Sequence, residues 1–276
     1  MNDCNHYTIE PFFLPFGQES IFCVFLAPVT AKLRAAVLYM PPFAEEMHKS
    51  RRMAALQARQ FAQAGYAVLQ IDLLGCGDST GDFEDAKWET WQACAQAAHN
   101  WLREKTQTPI VLWGLRLGAT LAAELSTQLP RIAGLILWQP VANGENFLNQ
   151  FLRIKIASEM FAERKIGVKD LRGKLLAGEA VEVGGYMLAP PLTAGVDKLR
   201  LAQLTIAVPV CWLDVSATPS TQPLPASLKV IDTWIESGTT VFTRTIEGDS
   251  FWATQEIIEC PNLLVETNEA LERLGL

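Results

Sequence analysis

The chain has 276 residues, 49% of them hydrophobic and 19% charged. That is enough to bury a large core, and one α/β domain of this size is ordinary. A formal net charge of -7 and a pI near 5.1 argue against nucleic acid or an anionic membrane surface as a general partner.

The six cysteines are Cys4, Cys23, Cys76, Cys94, Cys211 and Cys260. None stands in a CxxC pair or at a metal-ligand spacing. Cys23, Cys94 and Cys211 lie inside apolar segments, where cysteine acts as a small hydrophobe. A reducing compartment is the expectation. The start, Met1-Asn2-Asp3-Cys4-Asn5-His6, lacks a charged n-region followed by an apolar h-region. No apolar run approaches the roughly 20 residues of a membrane span. The expected location is the cytoplasm, with no transmembrane segment.

In chain order, Tyr7 to Leu14 and Ser20 to Ala27 read as antiparallel strands with Gly17-Gln18 at the turn. Arg34 to Met40 is a third strand, ended by Pro41-Pro42. Arg51 to Ala64 reads as a helix stopped by Gly65. Tyr66 to Leu74 is a buried strand, and Ala86 to Glu104 a helix carrying Trp88, Trp91 and Trp101. Strand Ile110 to Trp113, a helix after Arg116 and strand Ala133 to Trp138 continue the alternation. Strand Val210 to Val215, a helix over 226–236, strand Thr240 to Ile246 and a helix over 261–274 complete it. Strands alternating with helices make right-handed βαβ units and a mostly parallel sheet.

Residues 142–200 break the alternation. They hold a helical part, Phe147 to Phe161, charged helix-turn segments, and the strand-like Ala180 to Val183 before Gly184-Gly185-Tyr186. Insertions at the carboxyl end of such a sheet commonly cover the site. The expectation is one domain over 1–276 with a small helical cap at about 142–200.

Gly114-Leu115-Arg116-Leu117-Gly118 stands between the strand Pro109 to Trp113 and the Ala/Leu-rich stretch 119–125. Strand, Gly-x-nucleophile-x-Gly, helix is the nucleophile elbow of α/β-hydrolases. Asp72-Leu73-Leu74-Gly75-Cys76-Gly77-Asp78-Ser79 resembles the hydrolase turn D-x-x-G-x-G-x-S. Met40-Pro41-Pro42-Phe43-Ala44-Glu45-Glu46-Met47 follows a core strand where these enzymes place an oxyanion loop. With Trp138-Gln139-Pro140-Val141, Gly144-Glu145 and Val183-Gly184-Gly185-Tyr186, nearly the whole chain resembles the exosortase A system-associated hydrolase 2 family. These are bacterial proteins linked to exopolysaccharide production and PEP-CTERM protein sorting. The resemblance implies an α/β-hydrolase fold, a central mostly parallel sheet flanked by helices, and a protein partner in that system. Fold does not fix function.

The residues at the expected catalytic positions are unusual. An acyl-transfer triad in this fold runs Ser, Asp/Glu, His along the chain. Arg116 holds the nucleophile position, and a guanidinium neither attacks a carbonyl nor deprotonates. Asp214 ends a core strand at the acid position; the plain alternative is a strand-end Asp that starts a turn. The base position falls at Asp249 or Ser250, in Glu247-Gly248-Asp249-Ser250-Phe251-Trp252. The histidines, His6, His48 and His99, all precede Asp214. Cys76 and His48 lie on neighbouring loops and offer an alternative Cys-His pair, against the plainer reading of Cys76 as a turn residue. His48 with Glu45 and Glu46 lacks the i, i+4 ligand spacing of a zincin, so no metal is expected, and no cofactor.

A cation at the start of a helix meets the positive end of the helix dipole, and burial without a partner is costly. Arg116 should therefore have an acidic partner, drawn from Asp214, Asp249, Glu45 and Glu46. If a protein carboxylate neutralises it, Arg116 plugs the site. If a ligand does, the site binds a small anionic or acyl ligand, with His48 and Trp252 as further wall candidates. Three functions fit these residues: a non-catalytic binding or accessory protein, a hydrolase or acyltransferase using Cys76 and His48, and a scaffold whose cap binds another protein.

Overall fold

A strand buried on both faces needs a layer of helices on each side. The computed structural model describes residues 6–29, 32–158, 166–220 and 222–276. Residues 1–5, with Cys4, and 159–161, the end of the expected Phe147 to Phe161 helix, lie outside the described residues.

The chain opens with β1 (Tyr7–Phe16) and β2 (Glu19–Pro28), an antiparallel hairpin turning at Gly17. Then come β3 (Ala36–Met40), α1 (Glu45–Gln63), β4 (Ala67–Ile71), α2 (Trp88–Thr106), β5 (Ile110–Leu115), α3 (Leu117–Ser126) and β6 (Ile132–Trp138). Outside the main sheet follow α4 (Gly144–Ser158), α5 (Val168–Leu176), the small hairpin β7 (Val181–Val183) and β8 (Tyr186–Leu188), and α6 (Pro190–Asp197). The chain returns through β9 (Val210–Ser216), α7 (Pro225–Glu236), β10 (Val241–Glu247) and α8 (Pro261–Arg273).

The eight-stranded sheet has the order β1-β2-β4-β3-β5-β6-β9-β10. β1 to β2 and β2 to β4 are antiparallel, and the remaining pairs are parallel. This is the mostly parallel sheet that the alternation predicts. Side chains of β5 alternate between two cores. Val111 and Trp113 pack with Met53 and Phe61 of α1 and Leu263 and Leu271 of α8. Leu112 packs toward Trp91 and Cys94 of α2, Leu121 of α3 and Trp234 of α7. The sheet thus has α1 and α8 on one face and α2, α3 and α7 on the other.

Two local differences from the sequence reading bear on the site. α1 begins at Glu45, six residues before the expected Arg51. Ala44 turns the chain with φ 50° and ψ -126°, and Glu45 and Glu46 then meet the positive end of the helix, where acidic residues are favourable. Glu45, Glu46 and His48 are therefore helical rather than loop residues. α6 had no counterpart in the sequence reading, yet Pro190 at its first turn is pre-set for a helix start.

The segment between β6 and β9 is tied together by an arginine. Arg172 of α5 donates to both carboxylate oxygens of Asp197 at 2.8 and 2.7 Å, and to Asn149 Oδ1 at 2.8 Å. Phe147 and Phe151 of α4 meet Phe43 edge-on at 5.3 and 5.0 Å. That places α4 directly beyond the end of β3.

The elbow depends on two close approaches. A Cβ at Gly118 would collide with the Met40 and Pro41 carbonyl oxygens, and one at Gly114 with the backbone of Gly118 and Ala119. α3 can start beside β3 only because both residues lack side chains. Backbone cannot move aside as a flexible side chain can, so Gly118→Ala will cost about 3 kcal/mol, the upper range for overpacking. Denaturant unfolding of the variant checks this, and a change below about 1 kcal/mol would show that the approach is adjustable.

Candidate functional site

Arg116 sits between β5 and α3 with φ 56° and ψ -119°. Its N–H donates to the Trp138 carbonyl at 2.8 Å, and its own carbonyl accepts from Ala119 N–H at 3.1 Å. This positive-φ turn projects the side chain from the carboxyl edge of the sheet. No hydroxyl or thiol stands at this position.

The guanidinium finds one of the four expected carboxylates. Arg116 Nε donates to Glu46 Oε1 at 3.1 Å, and the two side chains are 18% and 20% exposed. Arg116 also lies between two rings, its guanidinium carbon 5.7 Å from the Phe147 ring centre and 5.6 Å from that of Trp252. Cations over aromatic faces are stabilised by the ring quadrupole. Glu46 Oε2 is buried with no hydrogen-bond partner among the described residues. Burial pushes the Glu46 carboxyl above its usual range, and the Arg116 charge opposes that shift.

These groups line a cleft of about 180 Å³ whose apolar walls are Phe43, Phe147, Phe151, Ile154 and Trp252. Glu45 is also in its wall, bonded to Lys49 at 3.0 Å. Of the proposed binding residues, the fold therefore brings together Arg116, Glu45, Glu46 and Trp252.

The other candidates lie elsewhere. Asp214 is fully buried and accepts Trp212 Nε1–H at 2.8 Å and Leu224 N–H at 3.0 Å. Burial pushes its carboxyl up, and those hydrogen bonds oppose the shift. It fastens the β9–α7 connection instead of meeting Arg116. Asp249 and Ser250 are exposed in the loop after β10, while the same loop turns Trp252 inward against Arg116. An indole thus occupies the side of the elbow facing the expected base loop.

Cys76 and His48 are not brought together. His48 is exposed on α1, which packs on one face of the sheet. Cys76 packs into the core of the opposite face, near Trp88 and Trp91. Burial pushes its thiol well above the ordinary value, which disfavours the thiolate a nucleophile needs. His99 is fully buried, its Nε2 3.1 Å from the Pro130 carbonyl oxygen. Among the described residues no group of three or more His, Cys, Asp and Glu is placed to hold a metal ion. No described helix is long and apolar enough to cross a membrane.

Asp72 is a structural residue of its turn. It accepts from Arg51 at 2.6 Å and from the Asp78 N–H at 3.0 Å. Ser79 donates to the Asp72 carbonyl at 2.6 Å and accepts the Phe22 N–H at 2.8 Å, stapling this turn to β2.

The profile of the family described as serine aminopeptidase, S33 matches residues 31–182, more than half of the chain. The chain belongs to the serine aminopeptidase S33 family. The match includes the Arg116 elbow, the Asp72 turn and Glu46. A thermostable monoacylglycerol lipase from Bacillus sp. (strain H-257) is 32% identical over 100 residues, which is 36% of this chain and 38% of the lipase. The matched region thus spans well under half of that relative.

Solved structures of the same α/β fold overlay almost the whole chain. Est1E from Butyrivibrio proteoclasticus, bound to ferulic acid, has a TM-score of 0.73 at 16% identity, covering 95% of this chain and 98% of its own. Mouse alpha/beta hydrolase domain-containing protein 10 has a TM-score of 0.61 at 14% identity, covering 96% and 99%. At these identities the likeness is one of fold.

Sequence reasoning missed Phe43, Phe147 and Phe151 as walls of the cleft. Phe147 and Phe151 are four residues apart on α4 and so share a face, a spacing the sequence does show. The surface they face is set by tertiary packing.

Two expected outcomes test these assignments. Asp214→Ala leaves the buried Trp212 Nε1–H and the part-buried Leu224 N–H without an acceptor and will cost about 2–3 kcal/mol in chemical unfolding; a cost near zero would remove its structural role. Glu46 keeps its proton to higher pH when folded than when unfolded. The unfolded chain releases that proton first, so stability falls as pH rises from the ordinary value of 4.5 toward the raised folded-state value. The melting temperature of Glu46→Gln will therefore gain on wild type across that rise, and parallel curves from pH 4 to 8 would refute it.

Proposed function

We propose that this S33-family chain is a ligand-binding or accessory protein and not a serine hydrolase that forms an acyl-enzyme. The observation that carries the reading is the Arg116 side chain at the elbow, bonded to Glu46 and flanked by Phe147 and Trp252. Acyl transfer needs a nucleophile activated by an adjacent base, and neither chemistry is available from a guanidinium held by a carboxylate. In this reading the triad is degenerate: Asp214 remains as a structural acid, and Trp252 takes the place of a base.

The cleft suits a small ligand with a flat apolar body and an anionic or acyl end. The bond to Glu46 uses one of the five guanidinium N–H donors, and Arg is well matched to carboxylates. The rings of Phe43, Phe147, Phe151 and Trp252 favour an aromatic body. Residues 142–200 act as the cap of a single domain, since α4 supplies one wall. The sequence resemblance supports service in the exosortase A, PEP-CTERM and exopolysaccharide system, in the cytoplasm, beside a protein partner of that system.

Ferulate is a suitable aromatic carboxylate probe. Calorimetry should give saturable binding that Arg116→Gln weakens at least tenfold, in keeping with a hydrogen bond between charged groups. A panel of p-nitrophenyl esters should show no turnover above background with the wild-type chain. Unchanged ferulate affinity in the variant would overturn the site, and ester turnover by wild type would overturn the non-catalytic reading.

A further inference from the structure

The Arg116–Glu46 pair is matched in charge but not in hydrogen bonds. Glu46 Oε1 takes the Arg116 Nε–H at 3.1 Å, while Oε2 is buried with no partner among the described residues. On the arginine side, neither terminal amino group makes a hydrogen bond to a described residue. Neither is sealed inside the protein, so both stay open to the cleft that Arg116 lines. A guanidinium held through Nε keeps its other edge, two parallel N–H donors, for a second carboxylate.

Such a second anion finds no further free cation in the wall. Around the pair, α4 presents Phe147, Gln150, Phe151 and Ile154, and the loop after β10 presents Trp252 and Ala253. None of these titrates. On α1 itself, Lys49 is already bonded to Glu45 at 3.0 Å. His48 and Asp249 are exposed and lie outside the cleft wall. Arg116 is therefore the charge that acts on Glu46. A carboxylate docked on the free edge makes two anions share one cation. Two carboxylates on one site do not both stay ionised, and the less well stabilised of them keeps a proton. Glu46 is that one, because its second oxygen is shut away without a donor and burial already holds its carboxyl above the usual range. Its side chain is still 20% exposed, so a proton can reach it.

We propose that the cleft takes up a carboxylate ligand together with one proton: the anion lands on the free edge of Arg116, the ion pair with Glu46 gives way to an ion pair with the ligand, and Glu46 becomes the neutral acid. The proton comes from solvent and goes to the Glu46 carboxyl, and no bond of the ligand forms or breaks. This inference rests on the binding reading above and adds its dependence on protons. The sign follows from linkage. The complex holds a proton that the free protein has released, so affinity falls as pH rises, by up to tenfold per pH unit while the uptake is complete. A neutral ligand of the same shape leaves the Arg116–Glu46 pair intact and shows no such dependence.

Calorimetry of ferulate in buffers of different ionisation enthalpy counts the protons on the full wild-type chain. From about pH 5.5 to 8 an ordinary carboxylic acid is ionised, so the count belongs to the protein. Uptake should peak above about half a proton per ferulate, and affinity should fall at least tenfold across the range. Ferulamide, the neutral analogue, should bind without uptake. Glu46→Gln should bind ferulate without uptake and, at about pH 8, roughly tenfold more tightly than wild type, since the competing charge is gone. A glutamate that only positioned Arg116 would give weaker binding in that variant. His48→Gln should leave the uptake as it is. Ferulate bound by wild type without uptake would overturn the inference and leave the binding reading standing, and this count decides even if Glu46→Gln does not fold. Weaker binding by folded Glu46→Gln, or uptake lost in His48→Gln, would overturn it as well. No saturable binding of ferulate at any pH would overturn the binding reading and this inference together.

Discussion

A guanidinium at the start of a helix, its side chain mostly buried in the wall of a cleft, has to be neutralised, and the surroundings of Arg116 are organised around that requirement. The helix end repels it, water is largely excluded, and its pKa is too high for it to lose the proton. Glu46 supplies the charge, from the first turn of the helix that follows the neighbouring strand. Phe147 and Trp252 supply ring faces, from the β6–β9 segment and the loop after β10. Three parts of the chain that are distant in sequence thus converge on one side chain. The pair also has a built-in asymmetry: Glu46 bonds through one oxygen while the other is buried and unmatched. A carboxylate held this way neutralises the arginine without using all its own capacity.

The fold beneath the pair is unchanged by what stands at the elbow. The sheet order, the two helix layers and the glycine contacts at Gly114 and Gly118 are those of an α/β-hydrolase with any residue at position 116. Backbone approach, not side-chain chemistry, makes this turn. That explains how a chain can match the S33 profile across its elbow while carrying a residue that cannot act as a nucleophile.

Much of this was legible in the sequence because it is local. The hairpin at Gly17, the buried run at Ala67 to Leu69 and the elbow glycines are patterns within a few residues of one another. The need for an acid beside Arg116 was also legible, since it follows from elementary electrostatics. Which acid answers was not, because the choice among Asp214, Asp249, Glu45 and Glu46 is settled through space. Asp214 looks like a catalytic acid until Trp212 and the Leu224 N–H are seen to use both its oxygens. The start of α1 was misplaced because Pro41-Pro42 reads as a break, whereas only two residues separate it from the helix. Cys76 and His48 seemed close because their loops are neighbours in strand order; the sheet itself stands between them.

Ala44 and Arg116 have nearly the same backbone conformation, with φ of 50° and 56° and ψ of -126° and -119°. Each opens a helix after one of two adjacent parallel strands, and each belongs to a residue type that such angles disfavour, at a cost of order 1–3 kcal/mol. The loss of a single side chain at either place would relax the turn. The molecule therefore keeps an untapped reserve of stability on the rim of its own cleft, available to variants that do without the groups those two turns now hold apart.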